Sequence, residues 1–157
     1  MTGDLLDMAR MTAWMDREGL GSGPIEDLER LTGGTQNILL RFSRAGRTYV
    51  MRRPPATTIA DGDETMRREA RVLAAIAETD VPHARLIAAC GDADVIGAAF
   101  YLMEPVEGFN ATVALPELHA GDPEIRCQMG LELVDAIARL GKVDAFAVGL
   151  GDFGKIE

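Results

Sequence analysis

Residues 37–55 read NILLRFSRAGRTYVMRRPP, and this stretch decides the fold. Asn37–Ser43 is rich in Ile and Leu, Arg44–Arg47 carries Gly46, and Thr48–Arg53 resumes with Tyr49, Val50 and Met51. The pattern predicts strand, glycine-bearing turn and strand. Pro54-Pro55 ends the second strand, because neither proline has an N–H to give to a ladder. On that strand the two-residue period puts Val50 and Arg52 on one face, so an apolar residue is followed by a cation on the same side.

Upstream, Asp4–Glu18 places Leu5, Met8, Thr12 and Met15 at helical spacing, with Gly19 where a helix stop belongs. Ile25–Leu31 is a weaker strand candidate, its apolar residues being three apart. Downstream, Asp61 with Glu64 three residues on predicts a helix start, and Met66, Ala70, Leu73 and Ala77 form an apolar stripe running to about Thr79. Val81-Pro82 breaks it, and Arg85–Cys90 and Ala98–Met103 read as strands around the turn Gly91–Gly97. The class is α+β, with roughly five antiparallel strands and one inserted helix. Beyond Glu104, Pro105, Gly108, Pro116 and Gly121 punctuate a loop, and Asp122-Pro123 opens a further helix with an N-cap and an N1 proline. Its expected core side is Ile125, Met129, Leu133, Ala136, Ile137 and Leu140. The expected divisions are 1–24, 25–104 and 105–157.

With 25 Asp plus Glu against 16 Lys plus Arg in 157 residues, the formal charge is −9. No basic face is available to neutralise phosphates, so neither nucleic acid nor an anionic membrane is an expected partner. No apolar run approaches the roughly 18 to 20 residues of a membrane span, and a cytoplasmic protein is expected. Cys90 and Cys127 are far apart and have no histidine close in sequence, so neither a disulfide framework nor a zinc site is expected.

The residues that carry chemistry lie around the hairpin. Gly33-Gly34 is followed by Thr35, Gln36 and Asn37 and sits between two strand candidates. This is neither a Walker A loop nor a dinucleotide fingerprint. By itself it is an ordinary hairpin turn, although such a turn can fold its backbone N–H groups over phosphates. On the helix that follows the hairpin, Glu69 lies at the edge of the apolar stripe, beside Leu73 and Ile76. A carboxylate there needs a partner. Arg52, facing inward from the strand, would satisfy it; the alternative is that Glu69 snorkels to solvent and Arg52 is a surface residue.

Taken in order, Gly33-Gly34-Thr35-Gln36-Asn37, Tyr49–Pro55, Arg68-Glu69-Ala70-Arg71-Val72-Leu73, Val81-Pro82, Ile96-Gly97 and Phe100–Glu104 through Glu107-Gly108 resemble the small lobe of the aminoglycoside phosphotransferase family. That family shares the protein-kinase-like fold, and the likeness points to its branch fused to, or encoded near, acyl-CoA dehydrogenases. The resemblance runs from about Ile25 to Gly154 and implies a kinase-like small lobe, preceded by an N-terminal helix and followed by a linker helix. It implies that Gly33, Gly34, Thr35, Gln36 and Asn37 cover nucleotide phosphates. Arg52 stands where kinases put the phosphate lysine, with Val50 on its face and Glu69 as its helix partner. Glu104 and Val106 would be hinge residues bonding adenine through backbone carbonyl and N–H. Arginine in place of lysine is a departure shared with this branch, and Arg53 is an alternative to Arg52.

The resemblance also implies what is missing. The family's His-Gly-Asp loop, its downstream Asn and its later metal-binding Asp belong to a large lobe beyond the linker helix. His119-Ala120-Gly121-Asp122 has one residue too many and precedes that helix, so Asp122 reads as a cap. Gly151-Asp152-Phe153-Gly154 spells a kinase metal motif with no catalytic loop before it, and reads as a loop. His83 reads as a loop residue. The parent activity that the resemblance implies is ATP- and magnesium-dependent phosphoryl transfer to a hydroxyl of a small molecule, with hydroxyacyl compounds suggested as much as aminoglycosides. For this chain by itself, the expectation is weak ATP binding, Mg2+ only where a large lobe is supplied, and no turnover. The alternatives are a non-catalytic interaction or regulatory module, or one half of a split kinase. Expected partners are nucleotide and either a large-lobe chain or a second copy.

Overall fold

The computed structural model describes residues 6–31, 37–55 and 61–154. In chain order the elements are helix α1 (Met8–Arg17), strands β1 (Glu26–Leu31), β2 (Ile38–Arg44) and β3 (Arg47–Arg53), and helix α2 (Gly62–Ala75). Strands β4 (Leu86–Cys90) and β5 (Phe100–Met103) follow, then helices α3 (Glu117–Gly121) and α4 (Pro123–Gly141). The five strands form one antiparallel sheet in the order β1-β2-β3-β5-β4. The α+β expectation and the inserted helix are thus met.

The β2–β3 hairpin closes in two residues, Arg44 pairing with Arg47. Ala45 and Gly46 both have positive φ, 51° and 76°, as a tight turn matched to strand twist requires. β1 slips register between Glu26 and Glu29, with Asp27 at φ 53°. The extra residue breaks strict alternation, so that Ile25 and Leu28, three apart, pack against the same core.

Two compact units divide the chain: Met1–Leu73 with Ala84–Pro105, and Ala74–His83 with Val106–Glu157. In the first unit the pleat sorts side chains into two clusters. Ile38, Leu40 and Phe42 of β2, Tyr49 and Met51 of β3, and Phe100 and Leu102 of β5 pack with Met11, Trp14 and Met15 of α1. Tyr101 and Met103 of β5, with Leu86 and Ala99, pack instead with Met66, Ala70 and Leu73 of α2. Leu6, Met11, Trp14 and Met15 are therefore part of the sheet's own core, with Met8 and Leu20 packed against it. Trp14 meets Phe100 edge-on, ring centroids 4.8 Å apart.

Arg44 continues the alternation of Ile38, Leu40 and Phe42 and is fully buried. Its Nε donates to the Gly23 carbonyl at 3.0 Å, Nη1 to the Thr12 carbonyl at 3.4 Å, and Nη2 pairs with the Asp16 carboxylate. One guanidinium thus fastens β2 to α1 and to the turn after it.

In the second unit the segment following α2 tightens into three-residue hydrogen bonds, Ala77 N to Ala74 O at 3.4 Å and Thr79 N to Ile76 O at 3.0 Å. This tightening shortens the helix relative to the expected end near Thr79. Arg139 of α4 reaches back to this segment, donating to the Asp80 carbonyl at 3.2 Å. α3 was expected to be loop, and Arg126 of α4 donates to its His119 carbonyl at 3.3 Å. Asp122 caps α4, accepting from Glu124 N at 2.8 Å. Of the α4 face expected to be core, Ile125, Met129 and Ala136 are half-buried while Leu133, Ile137 and Leu140 are exposed. No helix among the described residues is long and apolar enough to cross a membrane.

Candidate functional site

The β3 register places Arg52 opposite Leu39 of β2 on one side and Tyr101 of β5 on the other. Val50 precedes it by one period, opposite Arg41 and Met103, and is buried. From this face the Arg52 side chain meets α2. Its Nη2 donates to Glu69 Oε1 at 3.1 Å, and its Nε lies 3.0 Å from Glu69 Oε2. Two parallel contacts through one guanidinium edge are the fork geometry that lysine cannot make. The side chains keep 33% and 31% of their surface exposed, so the pair lies at a boundary between protein and water.

Glu69 is held from a third side. The Tyr101 hydroxyl donates to its Oε2 at 3.0 Å. Tyr101 is 3% exposed, and burial pushes its phenol pKa well above the ordinary range. The charge of Arg52 opposes that shift, while the Glu69 carboxylate adds to it. The phenol therefore stays protonated and acts as a donor.

α2 owes its position to further sheet contacts. Asp63 Oδ1 accepts from Ala99 N at 2.8 Å, capping the strand-side backbone from the helix's first turn. Arg67 places Nε and Nη2 at 3.0 and 2.8 Å from the Gly91 carbonyl. Glu69 thus projects from a helix tied, through Asp63 and Arg67 before it, to the backbone that joins β4 to β5.

Arg53, the alternative to Arg52, makes other contacts. It is buried, and its Nε donates to the Pro54 carbonyl at 3.3 Å. Burial lowers its pKa, with the Asp63 charge opposing. The geometry gives Glu69 to Arg52.

Gly33, Gly34, Thr35 and Gln36 lie outside the described residues, whereas Asn37 is half-buried immediately before β2. Glu104 donates its N–H to the Arg85 carbonyl at 2.9 Å, and its carboxylate lies 3.3 Å from Arg47. It belongs to the first unit. Val106 is exposed and belongs to the second. His83 is held by its Nδ1, 2.6 Å from the Val81 carbonyl, and His119 meets the Phe109 ring edge-on at 4.6 Å.

A guanidinium fixed by a carboxylate at the boundary between protein and water is an arrangement that can meet an anion. For a divalent metal the described residues offer no group of three or more His, Cys, Asp or Glu side chains. No metal role is assigned to them. Tyr101 was not singled out from sequence. Its signal was present in the alternation Phe100-Tyr101-Leu102-Met103, but its meaning depends on β5 pairing with β3.

The description "phosphotransferase enzyme family" matches residues 27–156. Over 134 residues, 85% of this chain, the sequence is 31% identical to acyl-CoA dehydrogenase family member 10 of Mus musculus. Over 153 residues, 94% of this chain, it is 24% identical to acyl-CoA dehydrogenase family member 11 of Rattus norvegicus. The chain spans 12% and 19% of the length of those two proteins. A crystal structure of a Ralstonia eutropha JMP134 protein, provisionally described as an aminoglycoside phosphotransferase, superposes with a TM-score of 0.73 at 37% identity. That likeness covers 96% of this chain and 42% of the other.

Proposed function

The chain belongs to the phosphotransferase enzyme family, and from that membership we propose that its sheet-and-α2 unit is the nucleotide-binding lobe of an ATP-dependent small-molecule phosphotransferase. The observation that carries this reading is the forked Arg52–Glu69 pair, which joins β3 to α2 while a third of each side chain remains exposed. An arginine forked onto a carboxylate keeps its charge at a fixed place, and polyphosphate binding calls for such a preset cation. Bound ATP would supply the phosphoryl group, which passes to a hydroxyl of the acceptor. Arg52 would meet the phosphates, Glu69 would orient it, and Val50 would offer apolar surface on the same face. Gly33, Gly34, Thr35, Gln36 and Asn37 would lie over the phosphates, and Glu104 and Val106 would bond adenine through their backbone. The reading carries with it a cytoplasmic setting, where ATP is plentiful.

Calorimetric titration of ATP into the 157-residue chain tests the proposal. Weak saturable binding, with a Kd on the order of 0.1–1 mM, should fall about tenfold further in Arg52→Met. Equal affinity in the two proteins would contradict it.

The second reading, an interaction module without catalysis of its own, draws on the exposed apolar residues of α4, Leu133, Ile137 and Leu140. Concentration-dependent sedimentation abolished by Leu133→Ser with Ile137→Ser, together with no ATP binding, would select it.

A further inference from the structure

We propose that Tyr101 is a positioning residue for nucleotide binding: its hydroxyl fixes the Glu69 carboxylate, and Glu69 in turn fixes the edge that Arg52 presents. The inference rests on the nucleotide-lobe reading above and adds a residue to it.

Glu69 ends in a carboxylate whose last torsion is broad, so an ion pair by itself leaves its plane loosely set. With 31% of its side chain exposed, it can also turn toward water. Arg52 does not remove that freedom, because both partners can move together. Tyr101 supplies an anchor on a third element. It stands directly across the ladder from Arg52, is nearly inaccessible to solvent, and packs among Met66, Ala70 and Ala99. Its hydroxyl reaches Oε2 at 3.0 Å, the same oxygen that lies 3.0 Å from Arg52 Nε. Oε1 is then left to Nη2 at 3.1 Å. The phenol thus selects which oxygen faces which nitrogen and holds the carboxylate plane in line with the guanidinium. A donor on a buried strand residue makes this orientation independent of solvent, and the raised phenol pKa keeps it a donor across the working pH range.

The test compares ATP with adenosine by titration calorimetry on the wild-type chain, Tyr101→Phe, Glu69→Gln and the double variant. Tyr101→Phe should weaken ATP about three- to tenfold and leave adenosine within a factor of about two, since only the phosphates meet Arg52. Adding Tyr101→Phe to Glu69→Gln should produce no further loss, because the phenol acts through Glu69. Unchanged ATP affinity in Tyr101→Phe, equal losses for ATP and adenosine, or additive losses in the double variant would each overturn the positioning role. So would a Tyr101→Phe chain without native circular dichroism, because the retained ring fills the same space and its failure would make the hydroxyl structural. A wild-type chain that binds ATP no better than adenosine overturns the nucleotide-lobe reading itself. That outcome is distinct from wild-type phosphate binding with an unaffected Tyr101→Phe, which overturns only the role of Tyr101.

Discussion

Arg52 and Tyr101 stand opposite each other in the β3–β5 ladder, and both reach the same carboxylate, that of Glu69 on α2. A cation and a phenol from neighbouring strands therefore fix a helix against the sheet through one acid. Its strength is set by partial exposure, since water screens part of the attraction and also lowers the cost of burying the charges.

Glu69→Ala should destabilise the chain by about 1–3 kcal/mol, between the values of exposed and fully buried pairs. Arg52→Lys should lose about 1 kcal/mol, because an ammonium cannot fork onto both oxygens. Urea unfolding measures both. A double-mutant cycle of Arg52→Ala with Glu69→Ala that shows no coupling would contradict the geometry.

Arg44 predicts an asymmetry. Removing it leaves the Gly23 and Thr12 carbonyls without their donor and opens the space it fills, so Arg44→Ala should cost about 3–5 kcal/mol. The Asp16 carboxylate is 55% exposed, and Asp16→Asn should cost about 1 kcal/mol or less. Thermal melts rank the two, and amide exchange in Arg44→Ala should be accelerated first in α1. Equal costs would show that the ion pair, rather than the buried guanidinium, holds the helix.

Alkaline pH should unsettle the fold through Tyr101. Its pKa is raised in the folded chain, chiefly by burial, so the folded state holds the phenol proton more tightly than the unfolded state. The resulting stabilisation is fully present below about pH 10, the unfolded tyrosine value, and is lost as pH rises above it. Melting temperatures of wild type and Tyr101→Phe between pH 8 and pH 11 should therefore diverge at the alkaline end, wild type falling faster. Parallel curves would contradict the shift.

Much of this arrangement was legible from local pattern. Gly46 between two apolar runs marked the β2–β3 hairpin, and the helical period put Glu69 at the edge of the stripe that faces the sheet. Arg44 was also signalled, because it shares the two-residue period of Ile38, Leu40 and Phe42, but a cation at a strand end reads as solvated unless its acceptors are known. Those acceptors come from α1 and the following turn, and no local pattern names them. Tyr101 escaped for a related reason: its partner across the ladder is set by β5 inserting between β3 and β4, a matter of topology. On α4 the period identified which face is apolar. It could not say whether a neighbour covers that face, and Leu133, Ile137 and Leu140 are exposed.

A crystal structure of the chain with a non-hydrolysable ATP analogue decides whether Arg52, held by Glu69, meets nucleotide phosphate. The expected result is a phosphate oxygen within about 3.2 Å of the Arg52 guanidinium, with the fork onto Glu69 retained. Phosphates lodged against Arg53, or an analogue bound away from β3 altogether, would contradict it.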